Sequence, residues 1–212
     1  MPVDMATDMR LSFLSYLESC EDARFKSRSM YRRYYDGDHE TILTQRMRKF
    51  LQLATGQDFR LNACGIVVDA LSERLSVSGF KCADEKQAEA FQLWWTKNRL
   101  DAIQGVVHLS TVRDGDGYTL VEWDALHKRP VITRQSADDG DEGMELYYQD
   151  GAPLLAAKRW RVEMGEGAGD IFRANLYFPD RIERRQQIGG GAWELLSQEE
   201  WTIGSEPIGI PV

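Results

Sequence analysis

The reading of the fold turns on residues 109–125, LSTVRDGDGYTLVEWDA, where one periodicity stops and another begins. Up to Val112 the apolar residues recur at helical spacing. From Tyr118 they alternate, as in a strand with one face buried. Between them RDGDGY supplies two glycines and two aspartates, the composition of a tight turn. Everything before this point reads mainly as helix, and everything after it as short strands.

Upstream, residues 8–35 contain neither Pro nor Gly and carry Leu11, Leu14, Leu17, Phe25 and Tyr35 among many charges. This predicts a long amphipathic helix. The stretch YRRYYDGDHE (31–40) offers three readings: arginines and tyrosines gripping a nucleic acid, Asp36, Asp38, His39 and Glu40 holding a metal, or a corner between helices. The corner is favoured. Gly37 suits the C′ position because glycine accepts the left-handed conformation. Asp38 suits an N-cap, with Glu40 in the first turn of a helix over about 39–54. Asn62 is expected to cap ACGIVVDALSERL, with Val67, Ala70, Leu71 and Leu75 forming a buried stripe. Asp84 opens EKQAEAFQLWWTKNRL, with Ala88, Phe91 and Trp95 turned inward and Trp94 either inward or at the edge of the core or a subunit contact. Asp101 starts AIQGVVHLSTV, with Ile103, Val106 and Val107 inward.

Downstream, YTLVEWDA, PVITRQ, ELYYQD, LLAAKRWRVE, FRANLYF, RIERRQQ and WELLSQEEW read as strands joined by Asp- and Gly-rich connectors. Hairpin spacing without intervening helices predicts an antiparallel meander. The fold class is therefore α+β, with a helical part over 1–116 and a β-rich part over 117–212. WTIGSEPIGIPV ends on an apolar segment without a polar tail, so the chain is expected to be the front part of a longer polypeptide.

The 212 residues are 42% hydrophobic and 28% charged, with six tryptophans and a net charge of −8. An acidic balance opposes generic nucleic-acid binding, which neutralises phosphates with Lys and Arg. Residues 24–49 nevertheless hold eight Lys/Arg against three Asp/Glu, a local +5 that leaves −13 elsewhere. That segment should meet an acidic surface, either a nucleic acid or a neighbouring copy. Cys20, Cys64 and Cys82 lack metal-ligand spacing and read as reduced thiols. No apolar run is long enough for a membrane span, and the N-terminus lacks a signal-peptide core.

Catalytic chemistry finds little footing. RDGDGY begins like a calcium loop, but its third ligand position is Tyr118, and the glycine and distal glutamate are misplaced. SADDGDEG (136–143) has no calcium-loop register. Pro179, Asp180 and Glu183 resemble part of a nuclease motif without the following Glu-x-Lys. Glu122 and Asp124 share one strand face and read as its solvated side. His39, His108 and His127 adjoin no nucleophile in an elbow context. IGGGAW neither follows a strand nor opens a helix, so it reads as a hairpin turn rather than a phosphate loop. No catalytic, metal or cofactor-binding residue is assigned, and no enzymatic activity is expected.

Taken in order, several segments resemble the N-terminal half of tailed-bacteriophage portal proteins. YRRYYDGDH is similar to an aromatic-Tyr-x-Gly element near the start of such chains. LNACGIVVDALSERLSVSGF is similar to their Asn-led helix with its Gly-Phe ending. FQLWWTKNRLDAIQGVVHLSTVRDGDGYTLVEWD resembles their helix, helix, glycine turn and strand. LYFPDRIERR, the Trp that follows and EPIGIPV resemble the strand region before a Gly-x-Pro-Val junction.

The resemblance implies the wing of a ring of roughly a dozen identical subunits at the capsid vertex, with stem, clip and crown following Val212. It implies a structural protein of the virion, assembled in the host cytoplasm. This protein would be a conduit for double-stranded DNA and a platform for head–tail joining. Its implied partners are further copies of itself, the major capsid and scaffold proteins, the terminase motor and the head–tail adaptor, with no membrane and no cofactor. Arg32, Arg33, Tyr34, Tyr35 and Trp94 are the candidate subunit contacts, and charge reversal at Arg32 and Arg33 is expected to impair assembly. The rival expectation is a nucleic-acid-binding module using 24–49, with tyrosines stacking on bases and arginines on phosphates.

Overall fold

The computed structural model describes residues 24–38, 44–52, 62–139, 142–162, 170–203 and 205–212. Helices come first and an antiparallel sheet follows. The helices are α1 (described over 24–35), α2 (Gln45–Phe50), α3 (Ala63–Ser72), α4 (Glu85–Lys97) and α5 (Leu100–Asp114). The expected helical segment 8–23, residues 39–43 and 53–54 of the helix expected over about 39–54, and Cys20 lie outside the described residues.

The caps explain where these helices begin and end. At the end of α1, Gly37 has φ +76°, its N–H donates to the Tyr34 carbonyl, and the Asp38 N–H donates to the Arg33 carbonyl. Those two bonds form a Schellman closure, as the position of Gly37 predicts. Asn62 caps α3, its Oδ1 accepting from the Gly65 N–H at 3.0 Å, and Asp84 caps α4 through the Lys86 N–H at 2.9 Å. Thr44 caps the described helix α2, and the Asp38 carboxylate pairs with Arg33, while the turn that Asp38 is expected to cap lies outside the described residues. One expectation is corrected. Helix α5 begins at Leu100 behind a left-handed Arg99, so Asp101 stands inside its first turn, where the helix dipole still favours it.

RDGDGY is the expected turn: α5 stops at Asp114, Gly115 takes φ +89°, and β1 starts at Tyr118. Strand β1 (Tyr118–Asp124) pairs with β2 (Arg129–Gln135) as a separate hairpin. Strands β3 (Gly143–Gln149), β4 (Ala152–Val162), β5 (Ile171–Tyr177), β6 (Arg181–Ile188) and β7 (Glu194–Glu200) form a five-stranded antiparallel meander in sequence order. A two-residue pair, β8 (Thr202–Ile203) with β9 (Glu206–Pro207), closes the chain.

The run LLAA in β4 is continuously apolar because both faces of the sheet are covered. Leu155 and Ala157 join Ala174, Leu176 and Trp193 in one core. Ala156 joins Met144, Tyr177 and Ile182 in another, where Tyr118 and Leu120 of the β1–β2 hairpin pack. Ile210 and Val212 pack against that second core, and the Val121 N–H donates to the Pro211 carbonyl at 2.8 Å. Among the described residues, no helix is long and apolar enough to cross a membrane.

Candidate functional site

Two features stand out: an ion-pair clasp that ties α1 to the β-rich part, and an apolar surface on α3 to α5.

The clasp begins with arginines four residues apart on one stripe of α1, at 24, 28 and 32. Arg28 is 3% exposed. Its guanidinium donates to Glu145 Oε2 at 2.7 Å, to Asp116 Oδ2 at 2.6 Å and to the Asp138 carbonyl at 2.9 Å. Arg24 donates to the other Glu145 oxygen. Arg32 reaches Asp114 Oδ2, Asp139 Oδ2 and the Ala137 carbonyl. Arg113 also holds Asp114, while Arg159 binds Asp138 at 2.8 Å and lies over the buried Phe25 ring.

Burial alone would make each of these charges unfavourable. For Arg28, burial pulls the pKa down, but Glu145 and Asp116 outweigh it and raise it. Burial pushes Asp114 up, and hydrogen bonds from Arg113 and Arg32 more than reverse that, holding it below the ordinary aspartate range. The Tyr118 phenol is raised by burial and then by Glu145 and Asp116 nearby.

The described aspartates of RDGDGY and SADDGDEG, namely Asp114, Asp116, Asp138 and Asp139, are therefore partners of arginines. Asp180 and Glu183 fare similarly. Asp180 pairs with Arg181, and Glu183, fully buried, lies between Arg181 and Arg185. A carboxylate whose oxygens are engaged by guanidinium has little capacity left for a cation. Among the described residues, no group of three or more His, Cys, Asp or Glu is placed to hold a metal ion. His127 Nδ1 donates to Asp124 Oδ2, 2.6 Å away, in the β1–β2 turn, and His108 Nδ1 lies 3.0 Å from the Leu75 carbonyl.

The corner at the end of α1 is built onto α3. Asn62 Nδ2 donates to the Tyr35 carbonyl at 2.6 Å, and the Tyr35 hydroxyl donates to Asp69 at 2.8 Å. Tyr35 thus anchors the corner inside the chain, under the Arg113 guanidinium. Arg32 is likewise engaged within the chain, by Asp114 and Asp139. For Arg24, Arg28 and Arg32 the acidic counterpart lies within the chain, on Asp114, Asp116, Asp139 and Glu145. Arg33 and Tyr34 remain exposed, and Trp94 is half-buried beneath Lys97.

The helical surface departs most from expectation. Val67, Leu71 and Leu75, predicted as a buried stripe, are exposed, as are Ile66, Phe91 and Val106. Trp95 is half-buried, edge-on to Phe80, whose ring also leans on Phe91. The pattern was legible, because apolar residues do recur at helical spacing. Periodicity cannot say whether such a stripe is covered by the same chain or by another. Large exposed apolar patches mark interaction sites in soluble proteins.

No protein-family model matches the chain, and no curated protein matches it.

Proposed function

We propose that this chain is a wing segment of a tailed-bacteriophage portal, a structural subunit of the vertex ring through which double-stranded DNA is packaged and ejected. The observation that carries the proposal is the apolar face of α3 to α5, a surface that needs a partner. The ordered portal-like landmarks support it, running from the Gly37 corner through the Asn62-capped helix to the RDGDGY turn. The helices-then-meander architecture is compatible with a wing.

A ring joins unlike faces of neighbouring subunits, so an apolar patch on one side of the subunit must meet a different surface of the next. Arg33, Tyr34 and Trp94 are the remaining contact candidates, with Arg32 and Tyr35 acting from inside the subunit. The capsid and scaffold proteins, terminase motor and head–tail adaptor would be the partners of the assembled ring in the virion. The function requires no catalytic group.

Native mass spectrometry of the chain across a concentration series tests this. A closed oligomer of roughly a dozen copies is expected. A strictly monomeric chain that binds short duplex DNA with a steep salt dependence would overturn the proposal in favour of a nucleic-acid-binding module.

A further inference from the structure

We propose that the outer edge of β7 is a docking site for an extended, cationic strand of another polypeptide, which would add a sixth strand to the sheet. The inference goes beyond the ring proposal and does not depend on it. Strand β7 is the last in the meander, and all seven of its residues are exposed. Among the described residues, its backbone pairs with β6 alone. An edge strand of this kind presents a row of unpaired N–H and C=O groups, which is the template that strand addition uses.

The occupant's chemistry follows from the side chains. Glu194, Glu199 and Glu200 make the edge acidic, and among the described residues Arg184 balances only Glu199. Leu195 and Leu196 add apolar surface beside them. Full antiparallel pairing of β7 with its own copy, centred on Ser197, would set Glu194 directly opposite Glu200, and like charges so placed are destabilising. A second copy of β7 is thereby disfavoured, whereas alternating Lys or Arg with β-branched residues fits both charge and pleat. The register shift between Arg184 and Arg185 leaves Leu196 without a partner in β6. Bulges and acids also serve to blunt an edge against pairing, and that rival predicts no binding at all.

Fluorescence anisotropy with a short peptide alternating lysine with valine and threonine decides between them. Saturable binding is expected, with slowed amide exchange confined to residues 194–200. Methylation of alternate peptide nitrogens should abolish binding, because the ladder loses its donors. The double variant Glu194→Lys/Glu200→Lys should weaken the cationic peptide by about ten-fold or more and gain binding of the glutamate counterpart. Its unchanged melting temperature would show that the fold survives.

Absence of saturable binding, or equal binding of the methylated peptide, would overturn the proposal. So would amide protection outside β7. Protection of 194–200 that rises with protein concentration in the absence of peptide would assign the edge to a second copy and also overturn it.

Discussion

Arg28 is the side chain on which the attachment of α1 depends most. It is buried with Glu145, and removing it from that pair leaves the buried carboxylate with only the exposed Arg24, at a cost of up to about 3–5 kcal/mol. Arg28→Met should therefore lower unfolding free energy by that order in urea titrations. Arg28→Met combined with Glu145→Met should recover part of the loss, because the buried carboxylate is then gone and Asp116, 46% exposed, stays hydrated. An equal or larger loss in the double variant would show that the pair stabilises well beyond the cost of burying it.

Acid response is also set at single residues. Asp114 and Glu183 are both pushed up by burial, and both are held below their ordinary values by hydrogen bonds from Arg113 and Arg32, and from Arg185 and Arg181. A carboxylate depressed in the folded state favours folding above its unfolded pKa. That contribution is lost as pH falls through the folded value. Melting temperature should therefore drop as pH is lowered below about 4, the unfolded carboxylate range. Glu183→Gln should flatten this acid limb while already lowering stability at neutral pH.

At the scale of elements, the α1–α3 corner depends on Asn62. Its carbonyl caps α3 and its amide holds the Tyr35 carbonyl, so Asn62→Ala removes both at once. A loss of about 1–2 kcal/mol is expected by thermal denaturation. Asn62→Asp keeps the cap but loses the donor to Tyr35, and should fall between the two. Gly143, where the chain enters β3, is more demanding. Its φ is +137°, and a Cβ there would come within 2.5 Å of the Asp138 backbone. Gly143→Ala should displace the 136–139 segment that meets Arg28 and Arg32, costing more than about 1 kcal/mol. Loss of amide protection in α1, measured by hydrogen exchange, would report that displacement.

At the scale of the molecule, the apolar helical face is the feature that assembly would use. Val67 and Leu71 are 59% and 51% exposed, so lysine at either position should leave the isolated chain about as stable as before, within about 0.5 kcal/mol. Val67→Lys/Leu71→Lys is expected to abolish self-association in light scattering coupled to size exclusion. Unimpaired association would move the interface away from α3. Charge reversal divides in the same way. Arg33→Glu should act on assembly alone, whereas Arg32→Glu should unfold the clasp, because its partners Asp114 and Asp139 belong to the same chain.

Local rules in the sequence determined the element types and their order. Gly37, Asn62 and Asp84 marked helix ends because backbone conformation and capping depend on neighbours only a few residues away. The change from helical to alternating spacing across RDGDGY likewise marked the passage from helices to meander. Only the tertiary structure decided what each charge and each apolar stripe faces. Arg28 meets Glu145 across 117 positions of chain, and no local spacing encodes such a contact. The stripe of Val67 and Leu71 has the period of a buried surface, yet whether it is covered depends on which elements pack against it. The packing of α3 leaves it exposed.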